Sequence, residues 1–145
     1  MHEYKVKVLK VVDGDTVDVD IDLGFGVWLR KQRIRLLGID TPESRTRDLE
    51  EKKYGLLAKE FLKSYIWESE DVVRLKTSKD KKGKFGRILG EFIVIQNEGH
   101  PEEVDINVNQ LMIEKHHAVQ YYGQSKDDIA EQHIKNRELV EHAGN

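Results

Sequence analysis

Two aspartates, a glutamate and two arginines stand in this chain where they could hold a cation against a phosphate ester. Asp15 follows the turn pair Asp13-Gly14, and Asp40 and Glu43 flank Thr41-Pro42. Arg35 lies five residues before Asp40, and Arg87 follows Gly83 to Gly86. Pro42 fixes its own φ and pushes Thr41 away from helix, so the Asp40–Glu43 loop has little freedom. Two carboxylates brought together repel unless a cation lies between them. Oxygen ligands in a chain without cysteine point to a hard ion, Ca²⁺ or Mg²⁺. Glu43, just beyond, is placed to orient or deprotonate a water. Arg35 and Arg87 suit a phosphodiester, because a guanidinium binds phosphate oxygens in pairs. Together they would stabilise the charge of a five-coordinate phosphorus. Singly, each of these is also what a surface turn or strand end shows. The five types at corresponding strand ends carry the reading.

Those positions need strands to hold them. Tyr4 to Val12 alternates apolar and polar, and so does Asp15 to Leu23, with Val17, Val19, Ile21 and Leu23 on one face. Asp13-Gly14 is a hairpin signal between the two runs. Asp18, Asp20 and Asp22 fall on the opposite face, read as solvated rather than as a second cation site. After Gly24-Phe25-Gly26, Val27 to Leu37 is a third strand. Its end meets the start of the second, so Asp15 and Asp40 share one end of the sheet. Glu51 to Glu68 reads as a helix with Leu57, Phe61, Leu62, Tyr65 and Ile66 inward. Asp71 to Leu75 and Phe85 to Ile95 are strands four and five. Val104 to His116 reads as a second helix, with Val108, Leu111 and Met112 inward. Asp127 to His142 is a third, started by Ser125 with Asp128 three residues on. Trp28 and Trp67 are assigned to core or barrel-rim packing. Three strands, a helix, two strands and further helices give an α+β chain. Its architecture is an OB-type five-stranded antiparallel β-barrel with about three helices.

With 145 residues and 38% hydrophobic content, the chain suits one domain spanning 1–145. The sequence has no run of about 20 apolar residues and no signal-peptide core, so no membrane partner is expected. A cytoplasmic protein or a processed secreted form is expected. The net charge of −3 disfavours broad nucleic-acid affinity, but its distribution is uneven. Arg30 to Arg47 and Arg74 to Arg87 are basic stretches, while acid gathers in Asp13–Asp22, Glu98–Asp105 and the tail.

The words Val12-Asp13-Gly14-Asp15-Thr16-Val17, Arg35-Leu36-Leu37-Gly38-Ile39-Asp40-Thr41-Pro42-Glu43, Lys53-Tyr54-Gly55 and Lys84-Phe85-Gly86-Arg87 occur in this order. Together they resemble the staphylococcal nuclease (thermonuclease) family from about Lys5 to Tyr122. The resemblance implies a Ca²⁺-dependent phosphodiesterase, endonuclease or exonuclease, that cleaves DNA and/or RNA and leaves 3′-phosphates. It implies Asp15, Asp40 and the Thr41 carbonyl as metal ligands, Glu43 beside the attacking water, and Arg35 and Arg87 on the phosphate. Lys84 and Phe85 fall where the family has a phosphate contact and a tyrosine, and here the phenol is missing. Tyr121 and Tyr122 fall where it stacks a base. A monomer is expected. This chain departs from the family in its net acidity and in its longer connection between strands two and three.

The competing reading is a non-catalytic OB module that binds nucleic acid or protein. A degenerate module would be expected to lose some of Asp15, Arg35, Asp40, Glu43 and Arg87, and all five are present. The pair His116-His117 is read as satisfied or exposed, because adjacent side chains point apart.

Overall fold

Period-two alternation builds the first half of the chain. A computed structural model describes residues 2–67, 71–82 and 88–143. Strands β1 (His2–Asp13), β2 (Thr16–Gly24) and β3 (Val27–Leu36) form an antiparallel meander. Then come β4 (Ile39–Asp40), α1 (Leu49–Ile66), β5 (Val72–Lys82) and β6 (Ile88–Gln96). The chain ends with β7 (Val104–Asn107), α2 (Val108–Glu114), β8 (Val119–Gln120) and α3 (Lys126–Ala143). The sheet order is β3-β2-β1-β5-β6-β7, and β3 also pairs with β6. That extra pairing closes β1, β2, β3, β5 and β6 into a five-stranded OB-type barrel with three helices around it. The barrel is mixed rather than wholly antiparallel, because the closing β3–β6 pair runs parallel.

The barrel interior is filled by Val17, Val19, Ile34, Leu36, Leu75 and Phe92, none more than 1% exposed. Helix α1 adds Ala58 and Leu62 to this core, and α2 adds Val108 and Met112. Asp48 caps α1 by accepting from the Glu50 and Glu51 N–H groups, and those two acids favour the positive end of the helix. The inward stripe of α1 is Tyr54, Gly55, Ala58, Leu62 and Ile66. Leu57, expected inward, stands one position off that stripe and is exposed. Trp67 is also exposed, at the rim with Lys63 over its ring.

Two further sequence expectations change. The segment read as a helix from Val104 is a strand to Asn107, paired with β6, and only then a helix. Asn107 makes the break by accepting from the Gln110 N–H as an N-cap. The aspartates of β2 do not all stay on a solvated face: Asp20 is buried, while Asp18 and Asp22 are half-buried. Asp20 is 5% exposed and accepts from Arg30 Nη1 and the Lys31 N–H, both at 2.9 Å. Those bonds, that from Lys31 first, hold its carboxyl below the usual aspartate range. Asp18 takes two bonds from Arg33, at 2.8 and 3.1 Å. The register also sets Lys10 beside Asp18, Lys7 beside Asp20 and Lys5 beside Asp22. Each aspartate therefore lies across from a lysine of β1, and Asp18 and Asp20 are bonded from β3 as well.

Candidate active site

The site forms where the turn before β2 meets the loop after β3. The Leu36 N–H donates to the Asp15 carbonyl at 2.8 Å, and the Thr41 N–H donates to Asp15 Oδ2 at 3.2 Å. Ser44 lies beside the Asp13 carboxyl. These ties bring the Asp13–Asp15 turn against the Asp40–Ser44 loop, although Asp15 and Thr41 are 26 residues apart. Helix α1 supports both segments from below. A Cβ on Gly14 would meet Ala58 Cβ and Thr41 Oγ1 at 2.9 Å each. Asp15, Thr41 and Ser44 are buried, and Thr41 Oγ1 has no hydrogen-bond partner among the described residues.

Arg35 lies between the two aspartates. Its Nη1 is 3.3 Å from Asp15 Oδ2, and its Nη2 is 3.4 Å from Asp40 Oδ1. One guanidinium thus spans both carboxylates. The other Asp40 oxygen, Oδ2, is 2.8 Å from His133 Nε2 of α3. Two concave surfaces adjoin this group. A cleft of about 840 Å³ runs past Arg35, Tyr121, Tyr122, Lys126 and His133. A second, of about 440 Å³, runs past Asp13, Asp15, Arg33 and Arg45. Arg35, Asp40 and Glu43 line both, so they form the wall between them.

Negative charge is in excess here. Burial pushes Glu43 above the usual glutamate range, and the charges of Asp13, Asp15, Glu51 and Asp40 push it further. Burial also raises Asp13, against the opposing contacts with Ser44 and Gly14. A carboxylate cluster of this kind has the hard oxygen donors that suit a hard cation. Among the described residues, no three Asp, Glu or His side chains converge on one cation position. The hard donors gathered here are the carboxylates of Asp15 and Asp40.

Of the sequence-derived candidates, Asp15, Arg35, Asp40, Thr41 and Glu43 come together. Tyr121 and Tyr122 border the larger cleft and are exposed. The Tyr121 N–H donates to the Gly38 carbonyl at 2.8 Å, which extends the β4–β8 pairing of Asp40 with Val119. Lys84, Phe85 and Arg87 lie outside the described residues. His116 and His117 line a small cavity with His133; His117 packs on Phe61, with ring centroids 4.5 Å apart, and its Nδ1 is buried without a partner among the described residues.

Several contributors were not singled out from sequence. Asn109, 1% exposed, donates to the Leu37 and Gly90 carbonyls and accepts from the Phe92 N–H. It thereby ties α2 to the strand ends that carry the site. His133 lies on α3 with Asn136 and Arg137 at the next helical spacings, and nothing in the sequence sets it apart from the other polar residues of that helix.

The fold and the site together define an OB-type barrel domain with carboxylates and an arginine gathered at one rim. The sequence model described as "Staphylococcal nuclease homologue" matches residues 33–143, most of the chain. The chain belongs to that family. It is 35% identical over 88 residues to the thermonuclease of Staphylococcus hyicus, a match that covers 61% of this chain and 47% of that protein. It is 36% identical over 86 residues to the thermonuclease of Staphylococcus intermedius, covering 59% and 45%. Against the micrococcal nuclease of Shigella flexneri it is 26% identical over 128 residues, covering 86% of this chain and 64% of that protein. The chain spans about half the length of the two staphylococcal relatives.

Proposed function

We propose that this chain is a metal-dependent nuclease that hydrolyses phosphodiester bonds of DNA and/or RNA, with Ca²⁺ as its ion and 3′-phosphates as its products. The observation that carries this reading is the Arg35 guanidinium set across Asp15 and Asp40, with Glu43 raised by burial beside them. The family's nucleases support it as well.

Asp15, Asp40 and the Thr41 carbonyl would hold the ion. When bound, Ca²⁺ supplies a positive centre for a nonbridging phosphate oxygen and for the water. Glu43 orients that water and accepts its proton as the oxygen attacks phosphorus. A carboxylate shifted toward neutrality suits this task better than an ordinary glutamate. Arg35, oriented by the two aspartates, donates to the nonbridging oxygens as charge builds on them. Arg87 is assigned the second guanidinium, from its sequence position. The bond from phosphorus to the 5′ oxygen breaks, that oxygen takes a proton from solvent, and the phosphate stays on the 3′ side. Tyr121 and Tyr122 border the cleft where a base would stack. Lys84 and Phe85 are assigned to substrate binding from their sequence positions.

The test is digestion of end-labelled single-stranded DNA and of RNA with Ca²⁺, with Mg²⁺ and with excess chelator. Products are treated with a phosphatase specific for 3′ ends. Cleavage with Ca²⁺ that stops in chelator and leaves phosphatase-sensitive ends is expected. Cleavage that persists in chelator would overturn the metal dependence. Binding without cleavage under every condition would favour a non-catalytic module.

A further inference from the structure

The Asp40 carboxylate is gripped from two sides. Arg35 Nη2 lies 3.4 Å from Oδ1, and His133 Nε2 lies 2.8 Å from Oδ2. An ionised carboxylate only accepts, so His133 donates its Nε2–H. Each oxygen keeps a lone pair beyond the bond it accepts. Two donors on opposite oxygens fix the plane of the carboxyl group, and one donor alone would leave it free to turn. The main chain of Asp40 is fixed separately, by pairing with Val119 of β8.

His133 can do this only because α3 is anchored independently. Asn136 Nδ2 donates to the Ala118 carbonyl at 3.2 Å. Gln132 accepts from Gln124, and the Arg137 guanidinium lies over the Tyr54 ring of α1. Tyr54 in turn donates to Glu141 at 2.9 Å. The helix is thus held to β8 and to α1 without using His133. The His133 side chain is 11% exposed and borders the same cleft as Arg35 and Asp40.

The geometry points to His133 as a positioning residue that orients the Asp40 carboxylate for cation binding. It rests on the reading of Asp40 as a metal ligand. His133 does not touch the cation. Its bond fixes the rotation of the Asp40 carboxylate, so that the ion meets a formed site rather than a mobile one. Loss of a hydrogen-bond partner behind a ligand of this kind costs about 10–100-fold in metal affinity.

The test is direct Ca²⁺ titration by calorimetry, without nucleic acid, on wild type, His133→Ala, His133→Gln and Asn136→Ala. His133→Ala should bind Ca²⁺ about 10–100-fold more weakly. His133→Gln places an amide N–H near the position of Nε2 and should recover most of that loss. Asn136→Ala loosens the helix but leaves His133, and should change Ca²⁺ affinity far less. At saturating Ca²⁺, turnover of His133→Ala should approach that of wild type, because the ion is bound again. Equal affinity in wild type and His133→Ala would overturn the proposal, as would tighter binding, which would make His133 a competitor for Asp40. Equal losses in Asn136→Ala and His133→Ala would also overturn it, by assigning the effect to helix docking. A wild type that binds no Ca²⁺ would overturn the metal reading of Asp40 and this inference with it.

Discussion

Gly55 of α1 lies directly against the main chain of Glu43: a Cβ built on it would stand 2.3 Å from the Glu43 carbonyl oxygen. The obstacle is backbone, so it cannot be relieved by turning a side chain. Gly55→Ala should gain about 1 kcal/mol of helix propensity and lose about 1–3 kcal/mol to overpacking. The loss should win, and Glu43 should move. A shift of about 1 Å at a reacting group can cost about 10²-fold in rate. Thermal unfolding and turnover of Gly55→Ala check this. A more stable variant with undiminished turnover would show that the loop moves aside freely.

Glu43→Gln should lower turnover by about 10²–10⁴-fold, the usual range for a lost general base. Calcium affinity should change little, because Glu43 is assigned to the water and not to the ion. Turnover and a calcium titration on the same preparation separate the two roles. Loss of Ca²⁺ binding in this variant would make Glu43 a ligand.

Arg35→Lys keeps the charge but loses the fork that reaches Asp15 and Asp40 together. If that fork also clamps the transition-state phosphate, the rate should fall by about 10²–10³. Binding of uncleaved single-stranded DNA in chelator should fall much less, since ground-state binding is mostly phosphate neutralisation. Arg87→Lys should behave the same way. Equal losses in rate and binding would reduce either arginine to a surface charge.

Asn109→Ala removes one buried side chain that satisfies three main-chain groups. Leaving even one buried group unpaired costs about 1–3 kcal/mol. The variant should lose at least that much stability in urea unfolding, and its turnover should fall through the loosened Leu37–Gly90 junction. Wild-type stability would mean that water replaces the amide without cost.

His117 gives a pH dependence with a definite sign. Burial, and then the neighbouring His116, hold its pKa below the ordinary histidine value. The unfolded chain therefore binds its proton at higher pH than the folded one. Stability from this group is complete above about pH 6.5, the unfolded value. It falls as the pH drops below that toward the folded pKa. His117→Phe, which keeps a ring against Phe61, should flatten the fall in unfolding midpoint between about pH 7 and 5.5. An unchanged slope would assign the acid sensitivity to other groups.

How much of this was legible in the sequence differs between elements. β1, β2 and β3 show plainly because Val17, Val19 and Ile21 alternate with aspartates over a long run. β4 and β8 have two residues each, too short for any period, yet their pairing fixes the main chain of Asp40. Val104 shares helical spacing with Val108, Leu111 and Met112, which hid the strand that Asn107 ends. The aspartates of β2 read as solvated because their basic partners lie on other strands. The candidate site was largely legible because Asp13 to Asp15 and Arg35 to Glu43 are two short words. His133 was not, because 93 residues separate it from Asp40 and only tertiary packing brings them together.

Among the described residues, the parallel seam that closes the barrel joins β3 and β6 through Ile34–Ile88, Arg35–Leu89 and Leu36–Gly90. A closed sheet breathes first where its pairing is shortest. Opening there bares two strand edges at once, and bare edges are templates for pairing with a neighbouring molecule. Arg35 sits in the middle pair of that seam. A molecule caught open has thus released Arg35 from the site and gained a sticky edge in the same movement. Inactivation and aggregation would then be one event, and amide hydrogen exchange along the seam would report on both.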